Sequence, residues 1–463
     1  MGRNPGDGRG ASRRLRDRLG GLTRFDVLAL TAAIWFLGKF LRYAFPPLFE
    51  PFQGTYGVSN AEVGAAFTGF MLVYAAMQFP SGALADRLGS VRVVVAGAAL
   101  AAVGALAVAV GSVAGAAAGF GVLVATMLVM GGGTGAHKTV AIRLLARVYP
   151  ARTGRALGAF DTVGTFGGVV APIAVVAFTT GLLSGLPGDP WRWLFFSAGL
   201  VGVALAVAFL RRVPGRLQAE HAETESAVAE SPAAESAVGE SADVDSGDSV
   251  DDDRSVEEKT GSNPALRRYV RLFSGRRLAA FVVVTLSFSF AYNGLVAFLP
   301  LYLTREAGLA AATAGGLYSL LFLVSFVQLF SGEASDRAGQ LPVIVAALSL
   351  ATAGVLALVL LPIGGTPGGA LGVAVAVAVG GIGMHGFRPV RGSYLMVVLP
   401  DDIAGGALGV VRTGLMGAGA VAPVIIGVIS DGVGFRPAFA LLAAAMATAA
   451  TIAVGLWLTA ERA

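Results

Sequence analysis

The chain has 463 residues, of which 55% are hydrophobic and 14% charged, with 65 glycines and no cysteine. Soluble domains carry roughly 25% charge, so a mean hydropathy of +0.73 over this length excludes a soluble globule, a disordered chain and a disulfide-built secreted domain. The net charge of +5 points to basic loops at a membrane surface rather than to nucleic acid, because the bases lie among apolar runs or in short loops.

In chain order, residues 1–25 form a basic arm with seven arginines (Arg3, Arg9, Arg13, Arg14, Arg16, Arg18 and Arg24) and no cleavage site after the first apolar run. A membrane helix needs ~20 mostly apolar residues. Six such runs follow, at about 26–49, 61–83, 91–113, 115–147, 155–182 and 191–212. Residues 214–262 are rich in Ala, Glu, Ser and Asp, and 14 of the 29 acids lie between Glu220 and Glu258. So polar a segment buries too little surface to offset its ordering, and it reads as a disordered acidic linker. Six more runs occupy about 278–303, 311–332, 342–362, 368–398, 404–430 and 435–459.

The expected fold is an all-α membrane protein of twelve transmembrane helices, with six-helix bundles at 26–213 and 263–463. Arginines collect in the arm, at Arg87 and Arg92, at Arg147, Arg152 and Arg155, and at Arg267 to Arg277, all on one side. The opposite loops, Pro46 to Asn60 and Ser184 to Pro190, are nearly free of them. The positive-inside rule then places both termini and the linker in the cytoplasm, in a multi-pass protein of the cytoplasmic membrane.

The second half repeats the first at a shift of about 250 residues. Gln78-Phe-Pro-Ser-Gly-Ala-Leu-Ala-Asp86-Arg87-Leu-Gly89 returns as Gln328-Leu-Phe-Ser-Gly-Glu-Ala-Ser-Asp336-Arg337-Ala-Gly339. Ala156-Leu-Gly-Ala-Phe-Asp161-Thr162, followed by Ala171-Pro172, returns as Ala407-Leu-Gly-Val-Val-Arg412-Thr413, followed by Ala422-Pro423. Gly131, Lys138 and Pro150 match Gly381, Arg388 and Pro400. Six helices per repeat keep the two copies parallel, and a solute site is expected at the midplane between them.

The loop Gly82-Ala-Leu-Ala-Asp86-Arg87-Leu-Gly89-Ser-Val-Arg92 resembles the loop between helices 2 and 3 of the major facilitator superfamily, with two of its three trailing basic positions replaced by Ser90 and Val91. The resemblance covers the whole chain, including the degenerate second copy at Gly332 to Gly339 and Trp191-Arg-Trp at the start of helix 6. It implies alternating access by two rocking halves, with helices 1, 4, 7 and 10 around the central cavity. It also implies gating contacts at Asp86 and Arg87, joined through the repeat by Asp336, Arg337 and Arg412. Helix 5 carries Gly167-Gly168 and Pro172 but not the Gly-Pro dipeptide of the family's drug–proton antiporters, which counts against multidrug export.

Charges inside spans cost ~2.5–3.5 kcal/mol each and are expected to face the bundle interior or water. Here they are mostly basic: Lys39 and Arg42, Lys138 and Arg143, Arg388 and Arg391, and Arg412. A cavity so lined attracts an anion, and planar guanidinium groups suit carboxylate, phosphate or nitrate. Lys138 and Arg388 are the expected clamp, with Lys39, Arg42, Tyr292 and Asn293 as further solute contacts. Internal pairing of Lys138 or Arg388 with Asp161 is the competing role, and Arg143 and Arg391 lie near enough to helix ends to snorkel. Asp161, the one midplane acid, and His137 and His385 are the candidates for proton coupling. The glycine tracts lie inside apolar spans and no Gly-Lys-Ser/Thr follows them, so they are packing surfaces rather than phosphate loops.

The resulting expectation is a secondary transporter of a small anion, coupled to protons by symport or exchange, with the lipid bilayer as its surroundings and no cofactor, metal or nucleic acid. Proton-driven efflux of a neutral or hydrophobic compound is the alternative within transport, and a transporter-like sensor the alternative outside it. No nucleophile, base or metal-ligand spacing suggests an enzyme.

Overall fold

A computed structural model describes residues 25–110, 116–180, 183, 188–229, 275–361, 367–399 and 404–460. Residues 1–24 of the arm and residues 230–262 of the acidic linker lie outside them. Among the described residues, twelve helices are long and apolar enough to cross a membrane. We number these α1 (Asp26–Ala44), α2 (Asn60–Leu88), α3 (Ser90–Val110), α4 (Ala116–Val148), α5 (Thr153–Thr179) and α6 (Pro190–Ala229), then α7 (Arg276–Arg305), α8 (Ala311–Leu323, continued to Ala338), α9 (Gln340–Leu360), α10 (Pro367–Val398), α11 (Ala404–Val433) and α12 (Phe435–Ala460). At 1.5 Å per residue, 19-residue α1 and 21-residue α3 and α9 are close to the ~30 Å apolar slab.

Local chemistry sets the ends. Ser59 and Glu62 form a reciprocal capping box at the start of α2, with the Ser59 amide donating to Glu62 at 2.8 Å. Gly89 and Gly339 stand at φ +90° and +87° in the matching α2–α3 and α8–α9 turns, backbone that an L side chain resists. That requirement is what the repeated Asp-Arg-x-Gly blocks encode.

Three elements depart from the sequence reading. After α1, Pro46–Leu48 make a 3₁₀ turn and Phe49–Tyr56 a short helix, so part of the Pro46–Asn60 loop is helical. The helix α6 runs through Pro214 to Ala229, so the stretch 214–229, expected to be disordered, is helical. Its Ala and Glu residues favour a helix even without a core to bury. The helix α8 extends past the apolar run to Ala338 and contains a 3₁₀ segment at Val324–Val327.

Within each half the packing follows one plan. The first half pairs α1 with α5, α2 with α4, and α3 with both α4 and α6; the second pairs α7 with α11, α8 with α10, and α9 with α10 and α12. Glycines permit the close approaches. Gly133 of α4 lies against Gly97 and Ala101 of α3, and its counterpart Gly383 of α10 lies against Ala347 and Ala351 of α9.

The halves meet along α2–α11 and α5–α8, again in matched fashion. Gly64 packs on the Pro423 carbonyl and Gly315 near the Pro172 carbonyl. The Val424 amide donates to Thr68 at 3.1 Å and the Ser319 hydroxyl to the Val169 carbonyl at 2.9 Å. At the Pro46–Asn60 end this contact is sealed. Asp431, at the end of α11, accepts hydrogen bonds from the Asn60 and Ala61 amides at 3.0 and 2.8 Å, capping the N-terminus of α2 from the other half. Phe49 meets Phe298 edge to face with centroids 5.4 Å apart, and Glu50 lies 3.8 Å from Arg305. Towards the opposite end, Gly154, Gly158 and Gly409 meet nothing.

Candidate functional site

A cavity of about 140 Å³ lies between the halves where α1, α2, α4, α7, α10 and α11 converge. Six bases line it: Lys39 and Arg42 from α1, Lys138 from α4, Arg388 and Arg391 from α10, and Arg412 from α11. No carboxylate is among its lining residues.

In the first half the bases gather on aromatic faces. Lys39 and Lys138 approach the Trp35 ring at 5.2 and 5.1 Å, and Lys39 also lies 5.4 Å from Tyr43. Ring quadrupoles attract such cations by ~0.5–2 kcal/mol depending on desolvation. Trp35 is held by Gly164 of α5, where a side chain would collide with the indole, and by Phe160, stacked at 5.8 Å. Lys138 Nζ also lies 3.6 Å from Asp161, whose side chain is 58% exposed. Asp161 is therefore at the rim, paired with a cavity base.

Arg42 crosses to the second half. Its guanidinium donates to Asn293 Oδ1 at 3.0 Å and lies 5.5 and 5.4 Å from the rings of Tyr43 and Tyr74. The Asn293 amide is oriented by the Ser289 carbonyl at 2.9 Å. Arg388, directly before the helix-interior Pro389, rests 5.8 Å from Tyr292, and Arg391 5.9 Å from Phe387. Neither Arg388 nor Arg391 makes an ion pair among the described residues. Arg412 donates to Gln78 Oε1 of α2 at 3.0 Å, again across the halves.

The structure thus brings together all six expected solute contacts, Lys39, Arg42, Lys138, Arg388, Tyr292 and Asn293, with Arg412 beside them. Arg391 lines the cavity rather than reaching for the helix end. His137 and His385 lie outside the lining. His137 Nε2 contacts the Thr31 carbonyl at 3.0 Å and its ring packs near Trp35 and Phe160. His385 is buried behind Tyr292 and Phe322.

Of the expected gating residues, Asp86 pairs with Arg143 at 2.9 Å, a contact inside the first half. Arg337 pairs with Glu333 on its own helix, and Arg87 and Asp336 are exposed. Sequence reasoning missed Tyr43, Tyr74 and Gln78. Gln78 had a signal, since it opens the first repeated block. The tyrosines had none, because an aromatic in an apolar span reads equally as packing.

The fold and the site can be set beside known proteins. A family model described as Major Facilitator Superfamily matches residues 28–384. A D-galactonate transporter of Escherichia coli O6:H1 is 24% identical over 85% of this chain and 86% of its own length. A probable 4-methylmuconolactone transporter of Cupriavidus pinatubonensis is 26% identical over 89% and 86%. An uncharacterised MFS-type transporter of Mycobacterium tuberculosis is 29% identical, but the match spans only 34% of this chain and 26% of that protein. Among solved structures, a D-xylose-proton symporter superposes with a TM-score of 0.69 at 15% identity, covering 94% of this chain and 97% of that one. The family match takes in most of the chain and agrees with the paired six-helix halves: the chain belongs to the Major Facilitator Superfamily and is a multi-pass secondary transporter, not an enzyme.

Proposed function

We propose that this transporter moves a small anionic solute through the central cavity, by symport or exchange coupled to protons. The observation that carries the reading is the lining itself, six bases from both halves with no carboxylate among them. Like charges so placed repel unless an anion sits between them. Guanidinium groups offer the paired donors that a planar oxyanion accepts. Galactonate and methylmuconolactone, named for two relatives, both carry a carboxylate, which is consistent with this class. In this reading Asp161, exposed and 3.6 Å from Lys138, carries the coupling proton. With both termini cytoplasmic, the sealed Pro46–Asn60 end faces outward and the cavity is reached from the cytoplasm.

Uptake into proteoliposomes tests the class. Organic anions should accumulate, with matched neutral analogues such as galactose excluded, and an imposed proton gradient should change the rate. Uptake of neutral analogues with no response to anions overturns the reading. Anion uptake unaltered in both Lys138→Ala and Arg388→Ala removes the bases from it.

A further inference from the structure

The α4–α5 and α10–α11 pairs repeat each other beside the cavity but differ in charge. Lys138 and Arg388 are matched by sequence, and the packing around them is duplicated, Gly133 on Gly97 and Ala101 becoming Gly383 on Ala347 and Ala351. Asp161 and Arg412 are matched by the ungapped Ala-Leu-Gly and Ala-Pro blocks on α5 and α11. In the first half the α4 base faces the α5 acid, Lys138 to Asp161 at 3.6 Å. In the second half the position of that acid is held by another base. Arg388, Arg391 and Arg412 all line the cavity, none forms an ion pair among the described residues, and Arg412 is engaged by the neutral Gln78. The α4 base of the first half thus has an acid partner among the described residues, and the α10 base of the second has none.

We infer that a carboxylate of the solute docks on the second half, between Arg388 and Arg412, in the place that Asp161 takes in the first. The solute completes in α10–α11 the acid–base pair that α4–α5 already possesses. This rests on the anion reading above and divides the labour within it. Arg388 and Arg412 hold the anionic group, with Arg391 adding positive field behind them. Lys138 is committed to Asp161, so the first half offers the solute its aromatic face with Lys39 and Arg42 rather than a Lys138 clamp matching Arg388. The planar guanidinium fork favours a carboxylate, which it can meet with two parallel hydrogen bonds.

The test uses the purified full chain in detergent. Its melting temperature is followed in titrations with D-galactonate, lactate and benzoate, each against chloride at the same ionic strength, with D-galactose as neutral control. Bound ligand raises the midpoint as the logarithm of ligand concentration over Kd once that ratio exceeds one. The wild type should respond to at least one carboxylate. Arg388→Gln should raise the Kd fitted to the shifts about tenfold or more.

Arg412→Asp places an acid where the carboxylate would sit. It should abolish the response while melting no lower than Arg412→Gln, because the new acid pairs with Arg388. Asp161→Asn should keep or tighten the response, since it frees Lys138. If no carboxylate stabilises the wild type, the anion reading falls and this inference with it. A wild type that responds beside an Arg412→Asp that responds equally, or melts below Arg412→Gln, overturns the inference alone. So does an Asp161→Asn that loses the response as Arg388→Gln does.

Discussion

Gly164 illustrates how much of the cavity is set by a missing side chain. A Cβ there would collide with the Trp35 indole, and Trp35 in turn receives Lys39 and Lys138 on its ring. Gly164→Ala should therefore destabilise the protein by about 1–3 kcal/mol through overpacking, read as a lower melting temperature. Trp35→Phe in the same chain should recover part of the loss, which a double-variant cycle measures. Additive losses would mean that the two do not share one space. The sequence displayed the bases clearly, because a charge inside an apolar run has few bland explanations. It left the Lys138–Asp161 pair open as one of two roles, since a helix carries no record of which neighbour its charge meets. Tyr43 and Tyr74 were silent for the reason that makes them useful: an aromatic ring serves a cation and a packed interior equally well.

At the scale of the element, the apolar runs marked all twelve spans because the bilayer imposes a length on every helix that crosses it. What the runs could not mark were polar continuations. The extension of α6 to Ala229 and of α8 to Ala338 lies beyond the hydrophobic stretch, where hydropathy gives no sign of a helix. The seal between α2 and α11 is another such feature. The Asp431 carboxylate satisfies two otherwise unpaired amides at the N-terminus of α2, where a negative charge is favoured by the helix dipole. Asp431→Asn removes the charge and one of the two acceptor oxygens and should weaken this seal by about 1 kcal/mol. Since the chain has no native cysteine, a single thiol introduced by Ser59→Cys reports on it. Its reaction with a polar maleimide should be faster in the Asp431→Asn background. An unchanged rate would show that Phe49, Phe298 and their neighbours close this end without the carboxylate.

For the whole molecule, the arginine distribution gives a sided expectation that the geometry alone does not. Gly54 and Gly154 lie in open space at opposite ends of the bundle, so each accepts a cysteine without strain. In intact cells an impermeant thiol reagent should label Gly54→Cys and spare Gly154→Cys, with both reacting after lysis. The reverse pattern would turn the transporter over in the membrane and make the sealed end cytoplasmic.

The matched pair of inter-half contacts has a mechanical consequence. Gly64 meets the Pro423 carbonyl, and Gly315 meets the Val176 side chain with the Pro172 carbonyl just beyond, so at both places a missing side chain lets the helices of the two halves pack closely. Such points resist compression and sliding but tolerate a change of tilt. They act as two fulcrums flanking the pseudo-twofold axis, about which the bundles can seesaw. Opposite mouths would then open in turn while the hinge line, and a cargo resting near it, scarcely shifts.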